Sequence, residues 1–169
     1  MSQKDVFYKW LFYTLLALGY TVLQQLLLNP LDIWGGVHPY LLPLLPVMVA
    51  ILESRQDSVF FAIAAGLFFD FLMPGIFPCF YTLAFVAAVL LTGLIAGRAI
   101  MPGFLCAAVC SVAALVLTGL LLVFSLAAST TVTSAAALSL MGRELLLTLP
   151  FSPPLFYTFH KVRRIFHTS

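Results

Sequence analysis

The chain has 169 residues, of which 63% are hydrophobic and 8% are Asp, Glu, Lys or Arg, with a net charge of +2. A soluble domain carries roughly 25% charged residues, so these charges are too few to cover a water-exposed surface. That excludes a separate soluble domain, and eight basic residues scattered over several segments exclude a nucleic-acid surface.

Six apolar stretches are delimited by charges, prolines and glycines, at about 7–28, 33–52, 59–73, 79–97, 103–127 and 137–160. The expectation is an all-α integral membrane protein: one bundle of about six transmembrane helices using the whole chain, 1–169. The first stretch follows Lys4 and Lys9. It is too long for the core of a signal peptide and has no small-residue cleavage site, so it reads as a retained anchor. The second, within HPYLLPLLPVMVAIL, holds Pro39, Pro43 and Pro46. Its clean apolar part, 39–52, would rise only about 21 Å as a helix, so a re-entrant segment is an alternative to a crossing. The third, VFFAIAAGLFFDFLM, is short and carries Asp70. The fourth and fifth, like the first, have lengths near the roughly 20 residues that a crossing helix needs. The sixth contains Arg143, Glu144, Pro150, Pro153 and Pro154.

Positive charge in short loops favours the cytoplasmic side. If all six stretches cross with the amino terminus inside, Lys4, Lys9, Arg55, Arg98, Lys161, Arg163 and Arg164 lie in the cytoplasm and only Arg143 lies outside. If the second stretch fails to cross, Arg55, Arg98 and the HKVRR cluster move outside and leave Lys4 and Lys9 alone. The six-crossing arrangement, with both termini cytoplasmic, gives the cleaner split. It places NPLDIWGGVHPY, MPGIFP and AASTTVTSAA outside, none of which contains Lys or Arg. Trp10, Trp34, Tyr40 and Tyr157 fall near helix ends, where amphipathic rings favour the headgroup region. No paired-half repeat of the transporter kind is evident.

An acid inside an apolar helix costs several kcal/mol unless it faces protein, water or a partner, which singles out Asp70. Gly66 lies four residues earlier on the same face, with Ala62 a further turn back, so small residues and the acid share one surface that permits close helix approach. Asp70 reads either as an ion, proton or substrate site or as a polar clamp to a neighbouring helix, and no second intramembrane acid or histidine accompanies it. Arg143, at a similar depth in the sixth stretch, is its electrostatic partner by position; otherwise Arg143 snorkels to headgroups, with Glu144 in water. Arg55, between Glu53 and Asp57, reads as a solvated turn, and HKVRR as a contact with anionic membrane lipids. Cys79, Cys106 and Cys110 form no CxxC pair and read as small hydrophobes. His38, His160 and His167 lack metal-ligand spacing. No Ser-His-Asp set, carboxylate pair or phosphate loop can be assembled, so no catalytic, metal or cofactor site is expected.

The proline-rich second stretch, GLFFD in the third, and LPFSPPLFYTFHKVRR at the end together resemble the bacterial rod shape-determining MreD family. The resemblance spans the chain as an arrangement and is sharpest from Gly66 through Asp70 to the turn glycine Gly75. Pro78 stands where the family pattern suggests glycine, and the last stretch has extra prolines. The resemblance implies a non-catalytic, multi-pass component of the bacterial plasma membrane. It would act in the cell-elongation machinery beside an MreC-like single-pass protein and the cell-wall synthases, with Gly66, Asp70, Gly75 and Arg143 in structural or partner packing. It also implies an architecture similar to the substrate-binding subunits of energy-coupling-factor vitamin transporters. Such a subunit is the alternative function, for which Trp34, His38, Tyr40 and Asp70 offer ligand groups.

Overall fold

A computed structural model describes residues 3–30, 37–72, 78–98, 103–128 and 134–167. Among these the fold is all-α, and no strand occurs. Helix α1 (Gln3–Leu23) continues through a π-helical turn (Gln24–Leu28). It is followed by α2 (Leu44–Leu52), α3 (Arg55–Leu72), α4 (Phe80–Arg98), α5 (Phe104–Ala128) and α6 (Ser134–Thr148), then a 3-10 turn (Leu149–Phe151) and α7 (Ser152–His167).

Two stretches differ most from the sequence expectation. The second stretch, expected over 33–52, is helical only from Leu44, because Pro39 and Pro43 remove backbone donors and Pro43 is the residue that caps the helix. Nine residues rise only about 14 Å. The sixth stretch, expected as one segment over 137–160, is two helices reaching from Ser134 to His167. Pro150 lies in the 3-10 turn between them, where it would break an α-helical ladder. Pro153 and Pro154 sit in the first turn of α7, where a missing N–H costs nothing.

The shortest helix is the centre of the molecule. Leu44, Leu45, Pro46, Val47, Met48, Val49, Ile51 and Leu52 are all buried, and α2 is surrounded by α3, α4, α5 and α7. A helix apolar on every side belongs either in a protein core or in lipid, and this one lies in the core. The irregular chain before α2 has its backbone groups met by side chains: the Leu41 N–H donates to Gln24 Oε1 at 2.9 Å and the Tyr40 N–H to Thr148 Oγ1 at 2.9 Å. Non-helical backbone buried in protein needs such partners.

Small residues bring α4 and α5 together. Ala84 and Ala88 of α4, with Ala107, Cys110 and Ala114 of α5, are buried. The buried hydroxyls nearby are satisfied within their own helices: Thr92 donates to the Ala88 carbonyl at 2.8 Å, Ser111 to Ala107 at 2.7 Å and Thr118 to Ala114 at 3.0 Å. The perimeter, by contrast, is apolar and outward-facing, with Phe71 88%, Phe124 76% and Phe60 73% exposed. Among the described residues two helical stretches, Val6–Leu28 and Phe104–Phe124, are long and apolar enough to cross a membrane, and Phe80–Ala96 is a shorter apolar helix.

Candidate functional site

Asp70 closes the start of α4. Residue Cys79, which precedes α4, adopts a left-handed conformation at φ 63°, and its carbonyl accepts the Leu83 N–H at 3.0 Å. A helix start leaves its first N–H groups without intrahelical partners, and the usual remedy is a Ser, Thr, Asp or Asn side chain at the cap itself. Cysteine is a poor substitute. The acceptors come instead from α3: Asp70 Oδ1 takes the Tyr81 N–H at 2.9 Å, and Oδ2 takes the Thr82 N–H at 3.1 Å and the Thr82 hydroxyl at 2.7 Å. A carboxylate at this end also opposes the positive end of the helix dipole.

Gly66, one turn earlier in α3, makes that geometry possible. A Cβ there would lie 2.4 Å from Thr82 Cα and 2.9 Å from its backbone nitrogen. No side chain fits against backbone at that distance, so glycine is required for α3 to approach α4 closely enough for Asp70 to reach its first turn. Gly66 and Asp70 thus form one joint with Thr82. Arg143 takes no part: it is exposed on α6, and no ion pair joins it to Asp70 among the described residues. Gly75 and Trp34 lie outside the described residues.

A second polar joint was not anticipated in the sequence. Glu53, expected in a solvated turn, is buried at the end of α2 and pairs with Lys9 at 2.7 Å; the two side chains are only 6% and 8% exposed. Tyr13 donates to the other Glu53 oxygen at 2.9 Å. Tyr13 also stacks on Phe159 of α7, with ring centroids 5.6 Å apart, and the Lys9 ammonium lies 5.5 Å from the centre of the Trp10 ring. The cluster ties α1 to α2 and α7. A separation of 44 residues left no local pattern from which to read it.

The third feature is a cavity of about 330 Å³ between the residues preceding α2, the first turn of α4, and parts of α5 and α6. His38, Tyr40, Tyr81 and Glu144 supply its polar groups, and Phe80, Phe85, Leu115 and Leu145 much of its apolar wall. Glu144 therefore corrects a second expectation: it is partly buried and lines this cavity rather than standing in water. It turns inward while its neighbour Arg143 is exposed, as adjacent helical residues point in different directions. Among the ligand groups anticipated from sequence, His38 and Tyr40 line the cavity, whereas Asp70 is absent from its wall.

Among the described residues no group of three or more His, Cys, Asp or Glu is placed to hold a metal ion. Cys106 and Cys110 are buried one helical turn apart with sulfurs at 3.9 Å, as free thiols. Comparison of the chain with family models, with curated proteins and with solved structures returns no match.

Proposed function

We propose that this chain is a multi-pass plasma-membrane protein with six crossings and cytoplasmic termini, and that it serves as a non-catalytic scaffold of the bacterial cell-elongation machinery. Its partners in this reading are an MreC-like single-pass protein and the cell-wall synthases. The observation that carries the scaffold reading is the employment of Asp70. Both carboxylate oxygens are taken by the first turn of α4, so the acid most suggestive of transport or chemistry serves as a helix joint.

Several features support the membrane placement. The outward-facing residues are large and apolar, and buried hydroxyls bond to their own helices, as lipid-embedded segments require. The short α2 does not argue against a second crossing. Residues 37–41 can add up to about 17 Å to its about 14 Å, which together match a hydrocarbon core of roughly 30 Å.

The alternative, a substrate-binding subunit of a vitamin transporter, is favoured by one specific feature, the cavity beside His38 and Tyr40. Affinity purification from mild detergent, run beside calorimetric titration with a panel of vitamins, separates the two. The scaffold reading expects a single-pass shape protein and wall synthases to co-purify. Tight, saturable vitamin binding with ATP-driven coupling subunits in the eluate would overturn it.

A further inference from the structure

We infer that the cavity between α4, α5 and α6 is a binding site for a small organic ammonium ion with an apolar body. The inference does not depend on which of the two functional readings holds. It begins with Glu144. This carboxyl group faces an otherwise largely apolar cavity, and no described residue offers it a hydrogen bond or an ion pair. A carboxylate facing a mostly apolar wall is poorly solvated, and a cation placed beside it compensates its charge.

Among the described residues no Lys or Arg side chain lines the cavity, so a cation that pairs with Glu144 there comes with a ligand. The rest of the wall suits an alkyl- or aryl-ammonium rather than a hydrated metal ion. Tyr40, Phe80, Tyr81 and Phe85 place four aromatic rings around the same space, and ring faces attract ammonium groups through their negative quadrupole. A divalent cation would need several oxygen ligands, whereas among the described residues Glu144 is the one carboxylate on the wall. The volume of about 330 Å³ lies at the small end of ligand sites, which run from roughly 300 to 1,000 Å³. His38 and the Tyr40 and Tyr81 side chains add groups able to orient a polar substituent.

The ammonium could belong to a soluble amine or to an aminophospholipid headgroup, and the chemistry recognised is the same. The test uses 2-phenylethylammonium as probe and uncharged 2-phenylethanol as its control, titrated calorimetrically into the full chain in detergent. The ammonium should bind saturably and at least tenfold more tightly than the alcohol. Glu144→Gln should weaken ammonium binding at least tenfold while melting no lower than the parent, because it removes a charge that has no partner. Leu145→Trp, which fills the cavity without altering charge, should abolish binding of both compounds.

Repeating the titration in nanodiscs with and without phosphatidylethanolamine identifies the source. Competition by that lipid assigns the site to a headgroup, and equal binding in both assigns it to a soluble amine. Absence of saturable ammonium binding would overturn the inference, as would equal affinity for the alcohol, unchanged affinity in Glu144→Gln, or a lowered melting temperature of that variant.

Discussion

Replacing Asp70 by leucine should unfasten α4 from α3. The substitution orphans the N–H groups of Tyr81 and Thr82, each costing about 1–2 kcal/mol when left unpaired, and loses the hydroxyl bond, worth about 1 kcal/mol; the sum is about 3–5 kcal/mol. Asp70→Asn should be milder. Its amide oxygen can keep the Tyr81 N–H and its amide nitrogen can donate to Thr82 Oγ1, which leaves only the Thr82 N–H unpaired at about 1–2 kcal/mol. Thr82→Ala, which loses the hydroxyl alone, should cost about 1 kcal/mol, and a double-mutant cycle with Asp70 should show coupling of similar size.

The assay is provided by the native cysteines. Cys106 and Cys110 are buried and Cys79 is exposed, so in a Cys79→Ser background a thiol-reactive dye reports unfolding as it is heated. A leucine variant as stable as the parent to within about 0.5 kcal/mol, well below the sum above, would refute the capping account. An asparagine variant of normal stability that had lost all activity in cells would show that the carboxylate does more than join helices.

Gly66→Ala should destabilise by about 2–3 kcal/mol in the same assay, because the new methyl meets the Thr82 backbone; this overpacking outweighs the roughly 1 kcal/mol by which alanine favours a helix. Lys9→Met should cost about 3–5 kcal/mol by stranding the buried Glu53 carboxylate, and adding Glu53→Met should restore most of the loss, read as thermal stability of the single and double variants. For topology, a single cysteine at the exposed Gln56, in a background without native cysteines, should resist an impermeant thiol reagent in intact cells while one at Gly36 is labelled; the reverse pattern would invert the crossing order. Finally, Cys79→Gly should preserve or raise stability, since a left-handed residue with a side chain costs about 1–2 kcal/mol, whereas Cys79→Val should lower it; melting temperatures decide between these outcomes.

The amino-acid sequence by itself determined the helical character, the number and order of apolar stretches, and the importance of Gly66 and Asp70. Each of these is a local property: composition sets where the apolar runs fall, and a glycine and an acid four residues apart must share a helix face. The ends of α2 and the division of the last stretch were only partly legible. Prolines announce a break, but where the helix resumes depends on which side chains, here Gln24 and Thr148, satisfy the freed backbone. What Asp70 joins was decided by tertiary structure alone. Its partners follow a turn and lie at the start of the next helix, where no sequence spacing distinguishes a remote cap from an ion pair with Arg143. The same holds for Lys9 with Glu53 and for the inward turn of Glu144. A charge in an apolar sequence says that a partner is needed, and only the packing of helices distant in the chain says which groups are within hydrogen-bond reach.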